Sequence, residues 1–140
     1  MKNRLLILIL TVAVAFSGIA GFSSYVRAND DDDGYAYSFY NANKQGHSCI
    51  AYKTTPGTVY IHPTSGPALK YTVQGNNGST WNSRSNTHTI YAGTKASFVN
   101  SLNSHNETEC RIQYKRTGLA YTTTYGYWNP NPLNTYTMYN

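Results

Sequence analysis

Glu107 and Glu109 are the only carboxylate side chains beyond residue 34. Acid and base catalysis needs ionisable groups that converge on one reacting atom. Glutamates two apart on an extended chain share a face and lie side by side, whereas a glycosidase holds its two acids on opposite sides of the bond to be cut. No aspartate of the body is available to orient a histidine in a Ser-His-Asp triad, which leaves the same two glutamates as third members. The four histidines, His47, His62, His88 and His105, show no metal-ligand spacing. These residues predict a protein that is not an enzyme and that holds neither a metal nor a cofactor.

The two cysteines carry a different expectation. Cys49 and Cys110 each fall in a predicted strand and lack the paired close spacing of a zinc site. An isolated pair in an oxidising compartment closes, so a Cys49–Cys110 disulfide is predicted, worth roughly 4 kcal/mol for a loop of this length in the chain-entropy model. His47 stands two residues before Cys49 and shares its face if the strand is regular. Were the thiols reduced, a metal would be sought there first.

Aromatic and basic side chains are the ones suited to recognition. Of fourteen tyrosines, thirteen follow residue 28, and each offers an apolar ring with a polar tip that suits sugar stacking, interfacial anchoring or protein contact. Tyr125, Tyr127 and Trp128 crowd beside a proline-broken loop. Trp81 lies in the Gly- and Ser-rich stretch 76–85 beside Arg84. Arg111 and Lys115 project from the polar side of a predicted strand. These seven residues form the predicted binding set.

Compartment and charge follow from the first residues. Lys2 and Arg4 precede an apolar run from Leu5 to Phe16, and Val26-Arg27-Ala28 offers small residues at the positions a signal peptidase inspects,. A signal peptide over 1–28 is predicted, with Gly18-Ile19-Ala20 as a second acceptable site, and no later segment is apolar enough to span a membrane. Cleavage after Ala28 leaves eight basic residues against six acidic ones. Four of those acids are the run Asp30 to Asp33, in a polar segment 29–34 expected to be a flexible tail. The body from Gly34 onward then carries a formal charge of +6. On an exported protein this favours an anionic cell-wall polymer, lipid or envelope protein over nucleic acid.

The elements that must position these residues are short. From Tyr35 the chain alternates stretches rich in Tyr, Thr, Val and Ile with Gly, Asn, Pro and Ser, the pattern of strands joined by turns. Strands are predicted at Tyr35–Tyr40, Ser48–Thr54, Thr58–His62, Leu69–Gln74, Thr87–Ala92, Glu109–Arg116, Leu119–Tyr127 and Thr135–Tyr139, with an irregular element at Lys95–Asn103. Thr117-Gly118 is expected to fold Glu109–Arg116 and Leu119–Tyr127 into a hairpin. Asn129-Pro130-Asn131-Pro132 ends the ladder, since prolines lack the donor. The fold class is all-β: one domain over 35–140, an antiparallel β-sandwich or small barrel of seven or eight short strands with one disulfide.

Several stretches resemble a family of small secreted proteins of bacilli and clostridia catalogued as a domain of unknown function. They are Ala28-Asn29-Asp30-Asp31 after the leader, the aromatic strand Tyr35–Tyr40, Thr89 through Gly93 and Lys95, and Gly126-Tyr127-Trp128-Asn129-Pro130. The resemblance implies secretion and brings no catalytic residues. More distantly, the Gly-x-Trp near the end and the terminal aromatic strand resemble lactococcin-type β-sandwich bacteriocins, which implies a secreted antimicrobial as the alternative. The leading expectation is a secreted, non-enzymatic binding protein acting at or outside a bacterial cell envelope.

Overall fold

The computed structural model describes residues 36–42, 44–118 and 123–140. The expected leader, the acidic segment and residues 119–122 of one expected strand lie outside the described residues. Those described form eleven strands: β1 (Tyr37–Asn41), β2 (Gln45–His47), β3 (Ala51–Tyr52), β4 (Val59–Ser65), β5 (Leu69–Asn76), β6 (Trp81–Ser83), β7 (His88–Ile90), β8 (Ala96–Phe98), β9 (Glu109–Arg116), β10 (Thr124–Asn129) and β11 (Thr137–Tyr139). A 3-10 turn at Asn103–His105 is the one helical piece among them.

The strands pair into two sheets that make a β-sandwich. Sheet A runs β1-β10-β4-β8-β11; sheet B runs β2-β9-β5-β6, with β3 also on β9 and β7 also on β5. The pairs are antiparallel except β8 and β11, which run parallel. Alternation along each strand builds the core between the sheets. In β9, Cys110, Ile112 and Tyr114 are buried and Arg111, Gln113 and Lys115 turn outward. In β10, Thr124, Gly126 and Trp128 are buried. Phe39, Val59, Ile61, Phe98 and Trp128 from sheet A meet Leu69, Tyr71, Val73, Ile112 and Tyr114 from sheet B. Gly126 is opposite Phe39, and a Cβ there would strike the Phe39 ring and the His62 carbonyl. The missing side chain is what lets the ring lie against β10.

Two polar ties hold the ends of this core. Lys53 is buried and its ammonium donates to the carbonyls of Pro130 at 2.6 Å and Thr58 at 3.1 Å, fixing the chain after β10 to the turn before β4. Arg84 meets the buried Glu107 through two parallel bonds, Nε to Oε2 at 2.6 Å and Nη2 to Oε1 at 2.5 Å. Gly75 lies beneath that carboxylate, where a Cβ would fall on Glu107 Oε2. The segment holding the 3-10 turn is thereby clamped to sheet B.

Four sequence expectations are corrected by pairing that lies beyond any local signal. β9 and β10 do not form a hairpin, because β9 pairs with β2, β3 and β5 in sheet B whereas β10 pairs with β1 and β4 in sheet A. The stretch expected to be irregular contains β8, whose Ala96, Ser97 and Phe98 are all buried between β4 and β11. Trp81, assigned to a loop, is in β6 opposite Asn76.

The fourth correction concerns the disulfide, because both cysteines are free thiols. His47 is opposite Gln113 and Ala51 is opposite Cys110, so four steps on the edge chain match three on β9. That extra residue makes a bulge. Ser48 fills it, its amide donating to the Ile112 carbonyl and its hydroxyl accepting from the Ile112 amide, both at 2.9 Å. The position opposite Cys110 is therefore Ala51, whose carbonyl accepts from the Cys110 thiol at 3.5 Å. Cys49 is exposed in the bulge, out of the facing position from which a cross-strand bridge is made.

Candidate functional site

The register of sheet B arranges its outward side chains in rows across the strands. In the first row Gln45, Lys115, Lys70 and Thr89 come from β2, β9, β5 and β7. The second row holds His47 and Gln113 with Thr72, which is buried and whose hydroxyl lies 2.6 Å from that of Thr87. Arg111 and Ser83 form the third with Gln74, which is buried beneath Arg111. A fourth joins Tyr52 and Glu109 with Asn76 and Trp81; the Asn76 amide donates to Glu109 at 2.7 Å. Successive rows are about 6.8 Å apart along the strands and neighbours within a row about 4.8 Å apart.

Cations outnumber anions on this face, three against the Glu109 carboxylate of the fourth row. Lys70 and Lys115 are both exposed and stand directly opposite each other. Neither ammonium has a hydrogen-bond or ion-pair partner among the described residues. Arg111 is fixed from two sides: its Nε donates to Gln74 Oε1 at 2.9 Å, and its guanidinium carbon lies 4.2 Å from the centre of the Trp81 ring, a cation–π contact. Its terminal nitrogens bond no carboxylate among the described residues. Burial, with the charges of Arg111 and Lys115 beside it, lowers the pKa of His47 below its ordinary 6.5. Of the two carboxylate side chains in the described residues, Glu107 is held by Arg84 and Glu109 by Asn76.

The predicted binding residues divide among three places. Trp81, Arg111 and Lys115 come together on the outer face of sheet B. Tyr125, half exposed at 50%, belongs to the outer face of sheet A, its ring 5.0 Å from that of Tyr40, and Tyr127 is half-buried beside it opposite Ser38 and His62. Two of the seven are not available to a partner. Trp128 is fully buried because β10 alternation turns it inward with Gly126, and Arg84 is taken by Glu107. Sequence reasoning passed over Lys70, Tyr52 and Gln113 as contact residues. The outward positions of Lys70 and Gln113 were legible in the alternation of β5 and β9, but the pairing that assembles the three residues was not.

A shallow cleft of about 410 Å³ lies between Ser83–Asn86 and Val99–Ser101. Its polar groups serve the fold: Ser85 Oγ accepts from the Val73 amide, Ser101 Oγ donates to the Arg84 carbonyl and Asn100 bonds Gly57, Phe98 and Leu102. The described residues hold no group of three or more His, Cys, Asp or Glu side chains placed to bind a metal. They include no helix long and apolar enough to cross a membrane. No family model matches the chain, and no curated protein or solved structure matches it.

Proposed function

We propose that this chain is an exported, non-enzymatic protein that binds an anionic polymer at or outside the cell envelope through the outer face of sheet B. The observation that carries the reading is the grouping of Lys70, Lys115 and the Trp81-braced Arg111 on one sheet face, with both neighbouring carboxylates already engaged. A sheet face held by backbone pairing on both sides presents its charges with little left to order on binding, which favours affinity for a repeating anion. Arg111 is the best prepared of the three, because the Gln74 bond and the Trp81 ring fix the guanidinium plane.

Retention of the protein comprising residues 29–140 on purified anionic wall polymer tests this. Retention should fall steeply from low to high salt and fall again in Lys115→Gln and Arg111→Gln at fixed salt. Retention that ignores both salt and these substitutions would exclude the sheet B face.

A further inference from the structure

We infer that Arg111 is a carboxylate fork, and that the anions of the polymer taken up by this face are the carboxylates of sugar acids rather than phosphates. The inference rests on the reading of sheet B as a polyanion site and adds the chemistry of the anion.

Arg111 reaches across the sheet from β9. Its Nε donates to Gln74 Oε1 at 2.9 Å, and Gln74 is itself buried on the interior strand β5, so the anchor is part of the fold. The guanidinium carbon lies 4.2 Å from the centre of the Trp81 ring on β6. One edge and one face of the group are thus taken. Its two terminal nitrogens have no hydrogen-bond or ion-pair partner among the described residues, and they form the edge that binds a carboxylate through two parallel bonds. Lys70 and Lys115, in contrast, are point charges that turn toward any anion.

Shape and charge both favour a carboxylate at that edge. A planar carboxylate bound by two parallel bonds lies in the plane of the guanidinium and stays clear of the Trp81 face. A phosphate is tetrahedral. With two oxygens on the fork its other two stand out of that plane, one of them on the indole side, and the face of an aromatic ring is its electron-rich part. Glu109 acts in the same direction. It projects from the same side of β9 two residues away, about 6.8 Å along the strand, with its carboxylate held by Asn76 at 2.7 Å. A singly charged group meets less repulsion from this neighbour than a phosphate monoester, which carries about −1.5 to −2 at pH 7.

Neutral hydrogen-bonding groups flank the fork. Ser83 is exposed in the same row and Gln113 stands two residues along β9 on the other side. They offer a hydroxyl and an amide to the hydroxyls that a sugar acid carries beside its carboxylate. An acidic peptide bears its carboxylate on an apolar arm, which has nothing to give them.

Four oligomers of equal length, matched where charged in the number of anionic groups, are titrated into the protein by calorimetry. They are an oligogalacturonate, its neutral methyl ester, a dextran phosphate and an oligoglutamate. The oligogalacturonate should bind about tenfold tighter than the dextran phosphate or the oligoglutamate, and the ester weakest of all. Arg111→Lys keeps the charge and removes the fork. It should weaken the oligogalacturonate about tenfold, the loss expected for one charge-assisted contact, and leave the dextran phosphate unchanged, whereas Lys70→Gln should weaken both alike. Dextran phosphate that binds as tightly as oligogalacturonate, or an Arg111→Lys variant that spares both or weakens both equally, overturns the carboxylate. Oligoglutamate that binds as tightly overturns the sugar. In each of these cases the polyanion reading stands. Failure of every charged oligomer to bind overturns that reading as well. Thermal unfolding of each variant separates lost contacts from lost fold.

Discussion

The Lys53 ammonium donates to the carbonyl of Pro130 across 77 residues of chain, and no carboxylate stands beside it among the described residues. Burial lowers its pKa, and the two carbonyl acceptors are what keep the amine tolerable there. Lys53→Met keeps the length of the side chain and strips Thr58 and Pro130 of their donor. The variant should lose about 1–3 kcal/mol, read from the urea midpoint at constant slope. An unchanged midpoint would mean that water satisfies both carbonyls.

Alkaline pH should unfold this protein through its core. Burial pushes the Cys110 thiol from 9.0 up to about 12, and it raises the Tyr71 and Tyr114 phenols above their usual 10.0. Each group keeps its proton longer folded than unfolded. Their contribution is therefore fully present below pH 9 and is lost as pH rises from 9 toward 12. Lys53 works in the opposite direction. Cys110→Val should flatten the fall of stability that begins above pH 9, and an unaltered profile would acquit the thiol.

Thiol labelling should separate the two cysteines. Cys49 is exposed, with its thiol raised by burial against the body and partly offset by the Trp128 indole. It should take up an alkylating reagent in the folded state, slowly at neutral pH, whereas Cys110 should react only when the sandwich opens. Mass spectrometry showing both labelled at one rate would contradict the placement of Cys110 in the core.

Relieving the facing lysines should separate stability from binding. Lys70→Glu puts an opposite charge across from Lys115 and should stabilise the fold by about 0.2–1 kcal/mol while abolishing polyanion retention. A variant that is neither more stable nor weaker in binding would remove the pair from the site.

Binding should strengthen as pH falls. His47 faces Gln113, with Arg111 and Lys115 along β9 and Thr72 and Lys70 on β5 beyond. An anion laid on the face offsets the two cations that help to hold its pKa below 6.5, so the ligand favours the protonated ring and binding takes up a proton. Affinity should rise as pH falls below 6.5. In His47→Gln the pH dependence should vanish; its persistence would point to another group.

What could be read from the sequence was whatever alternates locally. The outward set Arg111, Gln113 and Lys115 and the inward set Cys110, Ile112 and Tyr114 follow from a period of two. So do the all-β class and the break at Pro130. Trp128 crowds with Tyr125 and Tyr127 beside a proline-broken loop, which points to the surface, yet the phase of β10 turns it toward the core. Pairing partners left no such trace. Lys70 meets Lys115 only because β5 lies beside β9, and Cys49 misses Cys110 because the register of the edge chain puts Ala51, two residues further on, opposite Cys110. Pairing is decided by packing between distant segments, which no window of neighbouring residues contains.

The strand order also bears on how the molecule comes into being. β1 closes against β10, β2 against β9 and β8 against β11, so these partners meet only across long stretches of intervening chain. The β5–β6 and β5–β7 pairs are local, but closing both sheets awaits the later strands, and folding belongs to the slow regime of non-local topologies. A polypeptide of this kind completes its shape only when nearly all of it has emerged, a property that would suit the export proposed for it.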